Sequence, residues 1–316
     1  MGLRKCISIH WEAYERPMTD RMIDLSDEAA RLSVRNGLLV IQRGSGEESA
    51  ETTLPLSDIA VVVVSNPCVS MSHAVLSGLA SAGACLVSCD EKRLPVALLL
   101  PLVGHATQSE RFEQQVNASE PTKKRLWQQI IKAKITAQGM LLKQLRGSDH
   151  GLLSMGKRVR SGDPDNLEAQ ATRKYWPALF ADAKFRRDRE AEDVNRLLNY
   201  GYAVLRATVA RAVCASGLHP TIGIHHHNRY DAYCLADDLM EPFRPVVDAA
   251  AVMWIEAKGA DTPLDKEAKA AMLTALTCRV TVEGESRTIF DAAARLSASV
   301  AGVFAGERDK LVLPEM

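Results

Sequence analysis

The spacing of apolar residues changes near Pro101, and this change limits the possible folds more than any other feature of the chain. Before it, short apolar runs are separated by turn signals, which is typical of β-strands. After it, apolar residues recur at helical spacing, first at Leu126, Ile130 and Ile131 and later from Leu197. We therefore predict an α+β fold with an N-terminal, sandwich-like β-sheet domain followed by a larger, all-α C-terminal domain.

The N-terminal part contains a recognisable hairpin and one deeply buried strand. Arg31–Arg35 and Leu38–Arg43 flank Asn36-Gly37, a dipeptide that favours a tight turn because both of its positions need positive φ. Ile59–Val64 is a continuous, mostly β-branched run, as expected of a strand buried on both faces. Shorter patterns predict two further strands and a helix, at Cys6–Trp11, Ala84–Ser88 and Ser70–Ala82.

The boundary between the two parts is predicted in a polar stretch at Gly104–Ser109. This gives a β-rich domain at residues 1–103 and a helical domain at residues 104–316. Within the helical domain, Asp248–Lys258 and Pro263–Leu276 are further predicted helices.

Cysteine usage and hydropathy point to a reducing compartment and no membrane. Seven cysteines are scattered without a CxxC pair, which argues against a zinc ribbon or a disulfide framework and favours small buried thiols. The N-terminus lacks the apolar core of a signal peptide, and the apolar runs are far shorter than the roughly 20 residues of a membrane span. We therefore expect a cytoplasmic protein.

Charge is balanced over the chain but not along it. The formal net charge is zero, yet residues 121–190 contain 16 Lys or Arg against 7 Asp or Glu, a local excess of nine positive charges. Such asymmetry is a hint of a surface that binds a polyanion such as nucleic acid, although solvated helix surfaces without a partner would have the same composition.

Residues 223–245 combine three histidines with an acidic pair. Asp238 and Glu241 are three residues apart and would share one face of a helix, where their repulsion favours a cation between them. Carboxylate oxygens with one or two nitrogens from His225–His227 suit a hard or borderline divalent ion such as Mg²⁺ or Mn²⁺. Pro242 and Pro245 indicate that a helix begins or kinks at this point.

A second acid lies at the start of a predicted helix. Asp163–Asn166 is a helix-start cluster, and Glu168 falls in the first turn, where the helix dipole favours a carboxylate without any other purpose. Two cations and two aromatic residues follow it: Arg173, Lys174, Tyr175 and Trp176. An acid in such surroundings is also suited to hold a metal ion against a nucleic-acid phosphate.

Several long motifs resemble one family. The segment GIHHHNRYDAYCLADDLMEPFRPVVD resembles the signature of the CRISPR adaptation integrases, in the form of their type II members. DNLEAQATRKYWPALF and KRLWQQIIKAKITAQ match the same family in the expected order. The resemblance runs from about residue 5 to the C-terminus, which makes it far more specific than any short pattern.

The resemblance implies a catalytic, metal-binding site. The family glutamate corresponds to Glu168, its histidine to His226 by the spacing from Gly223, and its acid before Pro-Phe-Arg to Glu241. These three residues would hold Mg²⁺ or Mn²⁺. Asp238 corresponds to a further acidic position, with a role in orienting the histidine or holding a metal-bound water.

Two neighbouring histidines are left without a family role. His225 is a candidate partner of His226, whereas His227 departs from the expected residue and is expected to face solvent.

The implied function is CRISPR spacer acquisition by DNA transesterification, in which a 3′-hydroxyl of incoming DNA attacks a phosphodiester at the edge of the repeat. The implied partners are DNA (a protospacer duplex and the CRISPR repeat), a second copy of the chain contacted through the β domain, and a small ferredoxin-like adaptation protein. Two alternatives remain: a non-catalytic nucleic-acid-binding scaffold, and a metal sensor or small-molecule hydrolase built on the histidines.

Overall fold

The computed structural model describes residues 20–44, 50–91, 95–191, 193–260 and 263–315. The strand predicted at Cys6–Trp11 lies outside these residues. In the described part, strands dominate up to Leu99 and helices from Gln108 onward, which confirms the predicted α+β class.

Eight strands and one helix form the N-terminal part of the described chain. They are β1 Arg21–Leu25, β2 Ala30–Arg35, β3 Leu38–Arg43, β4 Ala50–Pro55, β5 Ile59–Val64, β6 Ser70–Met71, α1 His73–Ser81, β7 Cys85–Cys89 and β8 Pro95–Leu99. The first sheet has the order β1-β5-β7-β8, with β8 antiparallel to β7 and the other pairs parallel. The second has the order β4-β3-β2-β6.

The predicted hairpin is confirmed as β2 and β3, which pair antiparallel from Ala30↔Arg43 to Arg35↔Leu38. Its two turn residues, Asn36 and Gly37, have φ of 52° and 75°. Both values lie in the left-handed region that the Asn-Gly dipeptide tolerates best. The turn chemistry therefore sets the register of this sheet.

Strand β5 lies in the middle of the first sheet and is buried on both faces. Val62 packs in a core that the two sheets and α1 share. Val61 and Val63 pack in the larger core of the helical part. An uninterrupted run of β-branched residues is what this position requires, because neither face meets water.

Nine helices and a hairpin form the rest of the described residues. They are α2 Gln108–Val116, α3 Glu120–Arg146, α4 Leu152–Arg158, α5 Leu167–Leu179, α6 Asn195–Ala215, α7 Cys234–Met240, α8 Arg244–Lys258, α9 Lys266–Ala275, β9 Arg279–Val282, β10 Glu285–Thr288 and α10 Ile289–Phe304. The β9–β10 hairpin is an addition to the expected all-α region. Its turn, Glu283 and Gly284, again has positive φ at both positions.

The long helix α3 has clear sequence-encoded ends. Ser119 caps its first turn by accepting a hydrogen bond from the Thr122 N–H, and Gly147 ends it with φ of 78°. Both are the residue types that these positions favour. The helix packs against α5, α8 and a 3₁₀ turn at Glu241–Phe243.

Helix α6 joins the helical part to the first sheet. Arg211 donates from Nε to the Gly83 carbonyl at 2.6 Å, and the Tyr200 hydroxyl donates to Asp24 at 3.3 Å. The Cys85 thiol lies 3.7 Å from the Ala207 carbonyl. These polar contacts join α6 to the sheet, and Val61 and Val63 of the sheet lie in the same apolar core as Val204 of α6.

The six cysteines of the described residues are all free thiols, as their scattered spacing predicts. Only Cys85 and Cys234 among them are buried and Cys68 is exposed, so the expected burial holds for some of them only. Within the same residues, none of the helices combines the length and the apolar character needed to cross a bilayer.

Candidate active site

Two of the three predicted site residues converge on a single ammonium group. Lys134 in α3 donates from Nζ to Oε1 of Glu168 at 2.7 Å, and the same nitrogen lies 2.6 Å from Oε2 of Glu241. The Arg244 guanidinium pairs with the other oxygen of Glu241, Nε to Oε1 at 3.0 Å. We call these four residues the charged cluster. Glu168 and Glu241 are 73 positions apart in the chain, so only the fold brings them together.

Glu168 is held in place by the cap of α5. The carboxylate of Asp163 accepts hydrogen bonds from the N–H groups of Leu167 and Glu168, at 2.9 and 3.0 Å. Asn166 accepts from the Ala169 N–H at 3.4 Å. These side chains satisfy donors that the first helical turn leaves free, as the helix-start cluster predicts. The Glu168 side chain remains 25% exposed.

Glu241 begins a 3₁₀ turn between α7 and α8. Pro242 and Pro245 each stand in the first turn of the segment that contains them, where no intrahelical N–H is needed. The Glu241 side chain is 4% exposed. Burial raises the pKa of Glu241, but the charges of Arg244 and Lys134 outweigh burial and hold the pKa below its usual value. The carboxylate is therefore ionised at neutral pH.

The histidine is fixed by the buried carboxylate of Asp238. Its Oδ2 accepts from the backbone N–H groups of Ile224 and His225, at 2.6 and 2.9 Å. Its Oδ1 lies 2.6 Å from Nδ1 of His226. The predicted orienting role of Asp238 thus has a geometric basis, since the bond at Nδ1 leaves Nε2 of His226 as the nitrogen available to a ligand.

The loop that carries His226 needs a glycine at its start. A Cβ at Gly223 would lie 2.3 Å from the His226 carbonyl oxygen and 3.0 Å from Cβ of Cys234. Only a residue without a side chain allows this close approach.

His226 titrates above its usual range. The hydrogen bond that His226 donates to Asp238 raises the pKa of His226 most, burial opposes this rise, and the charge of Glu241 adds to it. Two of the predicted site residues, His226 and Glu241, therefore influence one another electrostatically.

Trp127 of α3 supports the histidine loop. Its ring stacks on His225 at 4.1 Å between centroids and 5° between planes, and His226 meets it edge-on at 5.6 Å. Burial lowers the pKa of His225. His225 is therefore an exposed side chain that stacks on Trp127 beside His226, and His227 is exposed, as predicted.

A buried tyrosine–aspartate group lies behind Arg244. The hydroxyls of Tyr175 and Tyr202 both donate to the Asp248 carboxylate, the first at 2.6 Å. The Arg244 guanidinium lies 4.6 Å from the centre of the Tyr202 ring, a cation–π distance. Burial raises the pKa of Asp248 to about 6. This group supports Arg244 and, through it, Glu241.

Local sequence patterns did not predict a role for Lys134, Arg244 or Trp127. One feature of the sequence indicates that Lys134 is buried. It lies four residues after Ile130 and four before Gln138, on the buried face of α3. A lysine in that row needs a negative partner, because an isolated buried charge is costly. Its partners are distant in sequence and could not be found from the sequence alone.

The donor chemistry of the site fits a divalent cation. Oε2 of Glu241 is buried, and within the described residues no donor meets it with hydrogen-bond geometry, although Lys134 pairs with it by charge. Two carboxylates and one oriented imidazole are the ligand types that Mg²⁺ and Mn²⁺ accept. In the present arrangement, however, no three His, Cys, Asp or Glu side chains of the described residues are close enough to hold a metal ion. The ammonium of Lys134 lies where Glu168 and Glu241 meet.

The fold and this site define a class: α+β proteins with a β-rich N-terminal part, a helical C-terminal part and a site of acids and histidine between helices. The family model described as CRISPR associated protein Cas1 matches residues 24–283. The CRISPR-associated endonuclease Cas1 of Neisseria meningitidis serogroup C (strain 8013) is 36% identical over 299 residues, 92% of this chain and 95% of that protein. The chain belongs to the Cas1 family, which confirms the resemblance seen in the sequence.

Solved structures show the same fold. A casposase bound to integration product superimposes with a TM-score of 0.77 at 20% identity, covering 92% of each chain. A chain of a Cas6-RT-Cas1–Cas2 complex superimposes with a TM-score of 0.73 at 19% identity, covering 94% of this chain and 36% of that one.

Proposed function

We propose that this protein is a metal-dependent DNA endonuclease and integrase that inserts new DNA into a CRISPR repeat array. One observation carries the proposal beyond family membership: Glu168 and Glu241 meet at one cation, Lys134, although they come from different helical elements. Carboxylates gathered at one point are suited to a metal ion that faces a phosphodiester.

The residues that would hold the metal are Glu168, Glu241 and Nε2 of His226. A bound Mg²⁺ or Mn²⁺ would polarise the scissile phosphate and stabilise negative charge on the attacking and leaving oxygens. Asp238 holds Nδ1 of His226, which leaves Nε2 for the metal, and Arg244 pairs with the Glu241 carboxylate and keeps it ionised.

The reaction is a phosphodiester exchange. The 3′-oxygen of the incoming strand forms a bond to phosphorus as it loses its proton to water. The bond from phosphorus to the 3′-oxygen of the repeat strand breaks, and that oxygen takes up a proton from water. One phosphodiester replaces another, so the step needs no nucleotide energy source. The basic stretch at 121–190 would bind DNA backbones of the protospacer duplex and the repeat.

The protein would act in an assembly with a second copy of itself and a small partner protein. A second copy of the chain would contact the N-terminal domain, residues 1–103, while residues 104–316 would form the catalytic domain. Exposed apolar side chains in and after β8 support a contact there: Val96, Leu102 and Val103. A small ferredoxin-like adaptation protein would complete the assembly, in line with the Cas1–Cas2 complex among the structural neighbours.

Strand transfer in vitro tests the proposal. The protein is incubated with its small partner, a short duplex with 3′-hydroxyl ends, a supercoiled plasmid and Mn²⁺ or Mg²⁺. We expect joined and relaxed products, reduced at least about a hundredfold by Glu168→Gln or Glu241→Gln, because each change removes a metal ligand. Glu190→Gln, an exposed acid in the same basic stretch, is the control and should act like the unchanged protein.

Two outcomes would contradict the proposal. DNA binding without strand transfer, equal in Glu168→Gln, would favour the non-catalytic scaffold. Metal binding without any affinity for DNA would favour a sensor or small-molecule hydrolase.

A further inference from the structure

Lys134 is an unusual residue for the middle of a buried helix face. It lies on the same row of α3 as Ile130 and Gln138, and its side chain is only 10% exposed. Two carboxylate oxygens face its ammonium, Oε1 of Glu168 at 2.7 Å and Oε2 of Glu241 at 2.6 Å. The lysine is therefore held as a cation between two carboxylates.

The charged cluster is balanced as it stands. Lys134 and Arg244 carry one positive charge each, and Glu168 and Glu241 one negative charge each. A divalent ion held by the same two carboxylates would add two positive charges to a largely buried group. Two cations near one pair of carboxylates repel one another strongly in such surroundings.

Lys134 and a metal ion would bind the same carboxylate oxygens. Nζ of Lys134 lies within 2.7 Å of one oxygen from each glutamate, so it takes up the point to which both carboxylates are directed. Arg244 differs, because it binds Glu241 on the other oxygen and is held against Tyr202. Lys134 is thus the cation that has to move when a metal ion enters.

We propose that Lys134 is a positioning residue that competes with the divalent ion for Glu168 and Glu241. Without metal, its ammonium holds the two carboxylates together and offsets their repulsion. When metal binds, the ammonium leaves the carboxylates, so the metal affinity is lower than the ligands alone would give. This inference rests on the metal site of the proposed function.

Metal binding and thermal stability of the full-length protein test the inference. Lys134→Met keeps the length of the side chain and removes its charge. We expect its Kd for Mn²⁺, measured by calorimetry or by the paramagnetic resonance of free Mn²⁺, to fall about tenfold or more, because no cation has to be displaced. We also expect its Tm in chelator to fall below that of the unchanged protein, and Mn²⁺ to restore most of the loss.

Two further variants serve as controls. Lys132→Met alters an exposed lysine of the same helix and should leave the Mn²⁺ affinity and the Tm unchanged. Lys134→Arg keeps a positive charge at the buried position, so it should bind Mn²⁺ no more tightly than the unchanged protein does. This variant keeps the test open if Lys134→Met folds poorly.

The measurements distinguish a wrong role for Lys134 from a wrong metal site. An unchanged or weaker Mn²⁺ affinity in Lys134→Met, with binding still abolished by Glu241→Gln, would overturn the role of Lys134 alone. If the unchanged protein and all variants fail to bind Mn²⁺, the proposed metal site falls and the inference falls with it.

Discussion

At the scale of single residues, the candidate active site depends on side chains that are not among its predicted metal ligands. Asp238 uses its carboxylate to fix both the backbone of the histidine loop and Nδ1 of His226. Arg244 and Lys134 fix the two oxygens of Glu241. Asp238 and Lys134 are buried and Arg244 is half-buried, and removing one member of a buried charged pair is among the most damaging changes in proteins.

Asp248 makes stability depend on pH. Its pKa is raised from an ordinary 3.8 to about 6, so the native state binds a proton more tightly than the unfolded chain does. Its contribution is therefore fully present below about pH 4 and is lost as the pH rises through 6. From pH 5 to pH 7.5 the loss is about 1.4 kcal/mol.

Asp248→Asn removes this titration. The quantity to compare is the free energy of unfolding of the unchanged protein minus that of the variant. We expect this difference to fall by about 1 to 1.5 kcal/mol between pH 5 and pH 7.5. Urea unfolding at several pH values measures this difference. A difference that stays constant over that range would show that Asp248 does not titrate there.

At the scale of helices and strands, the prediction for α5 concerns its cap. Asp163 has φ of 48° and accepts from two N–H groups of the first turn. We expect Asp163→Ala to reduce the free energy of unfolding by about 1 to 2 kcal/mol, because both donors lose their partner. Strand transfer should also fall, since the backbone of Glu168 is one of those donors. Chemical denaturation and the plasmid assay provide the two measurements.

A neighbouring acid provides the matched control. Asp165 pairs with Arg160 on the surface, at 2.8 Å, and Asp165→Ala should change stability by less than about 0.5 kcal/mol. Equal effects of the two substitutions would mean that the cap does not position Glu168.

Elements with strong local signals could be predicted from the sequence. The β2–β3 hairpin has Asn-Gly in its turn, and β5 has an unbroken β-branched run. The β9–β10 hairpin was missed because its turn, Glu283-Gly284, has only one residue that favours positive φ. The helix predicted at Ser70–Ala82 begins at His73, since Ser70–Met71 pairs as a strand with β2.

The candidate site was predictable only in part, for a physical reason. The family motifs identify Glu168, His226 and Glu241, and the structure places two of them on one ammonium group. The cations that balance them come from other helices, and such pairings depend on tertiary packing rather than on local spacing. Lys134 therefore appeared in the sequence only as one lysine among many.

At the scale of the whole molecule, the charge distribution matters more than the net charge. The chain is neutral overall, but residues 121–190 carry an excess of nine positive charges. We expect DNA affinity to fall steeply with salt, with a slope of log K against log salt of about −5 for about six phosphate contacts. Fluorescence anisotropy of a labelled duplex at several salt concentrations gives the slope. A slope near zero would exclude phosphate contacts as the basis of binding.

The packing of α6 against the first sheet has a consequence for how the protein is made. Val61 and Val63 belong to the core of the helical part, and Arg211 of α6 bonds to Gly83 next to the sheet. During synthesis the N-terminal strands leave the ribosome well before α6 does. Until that helix arrives, one side of the sheet has no apolar partner, so the nascent chain passes through a stage at which chaperones would find a binding surface.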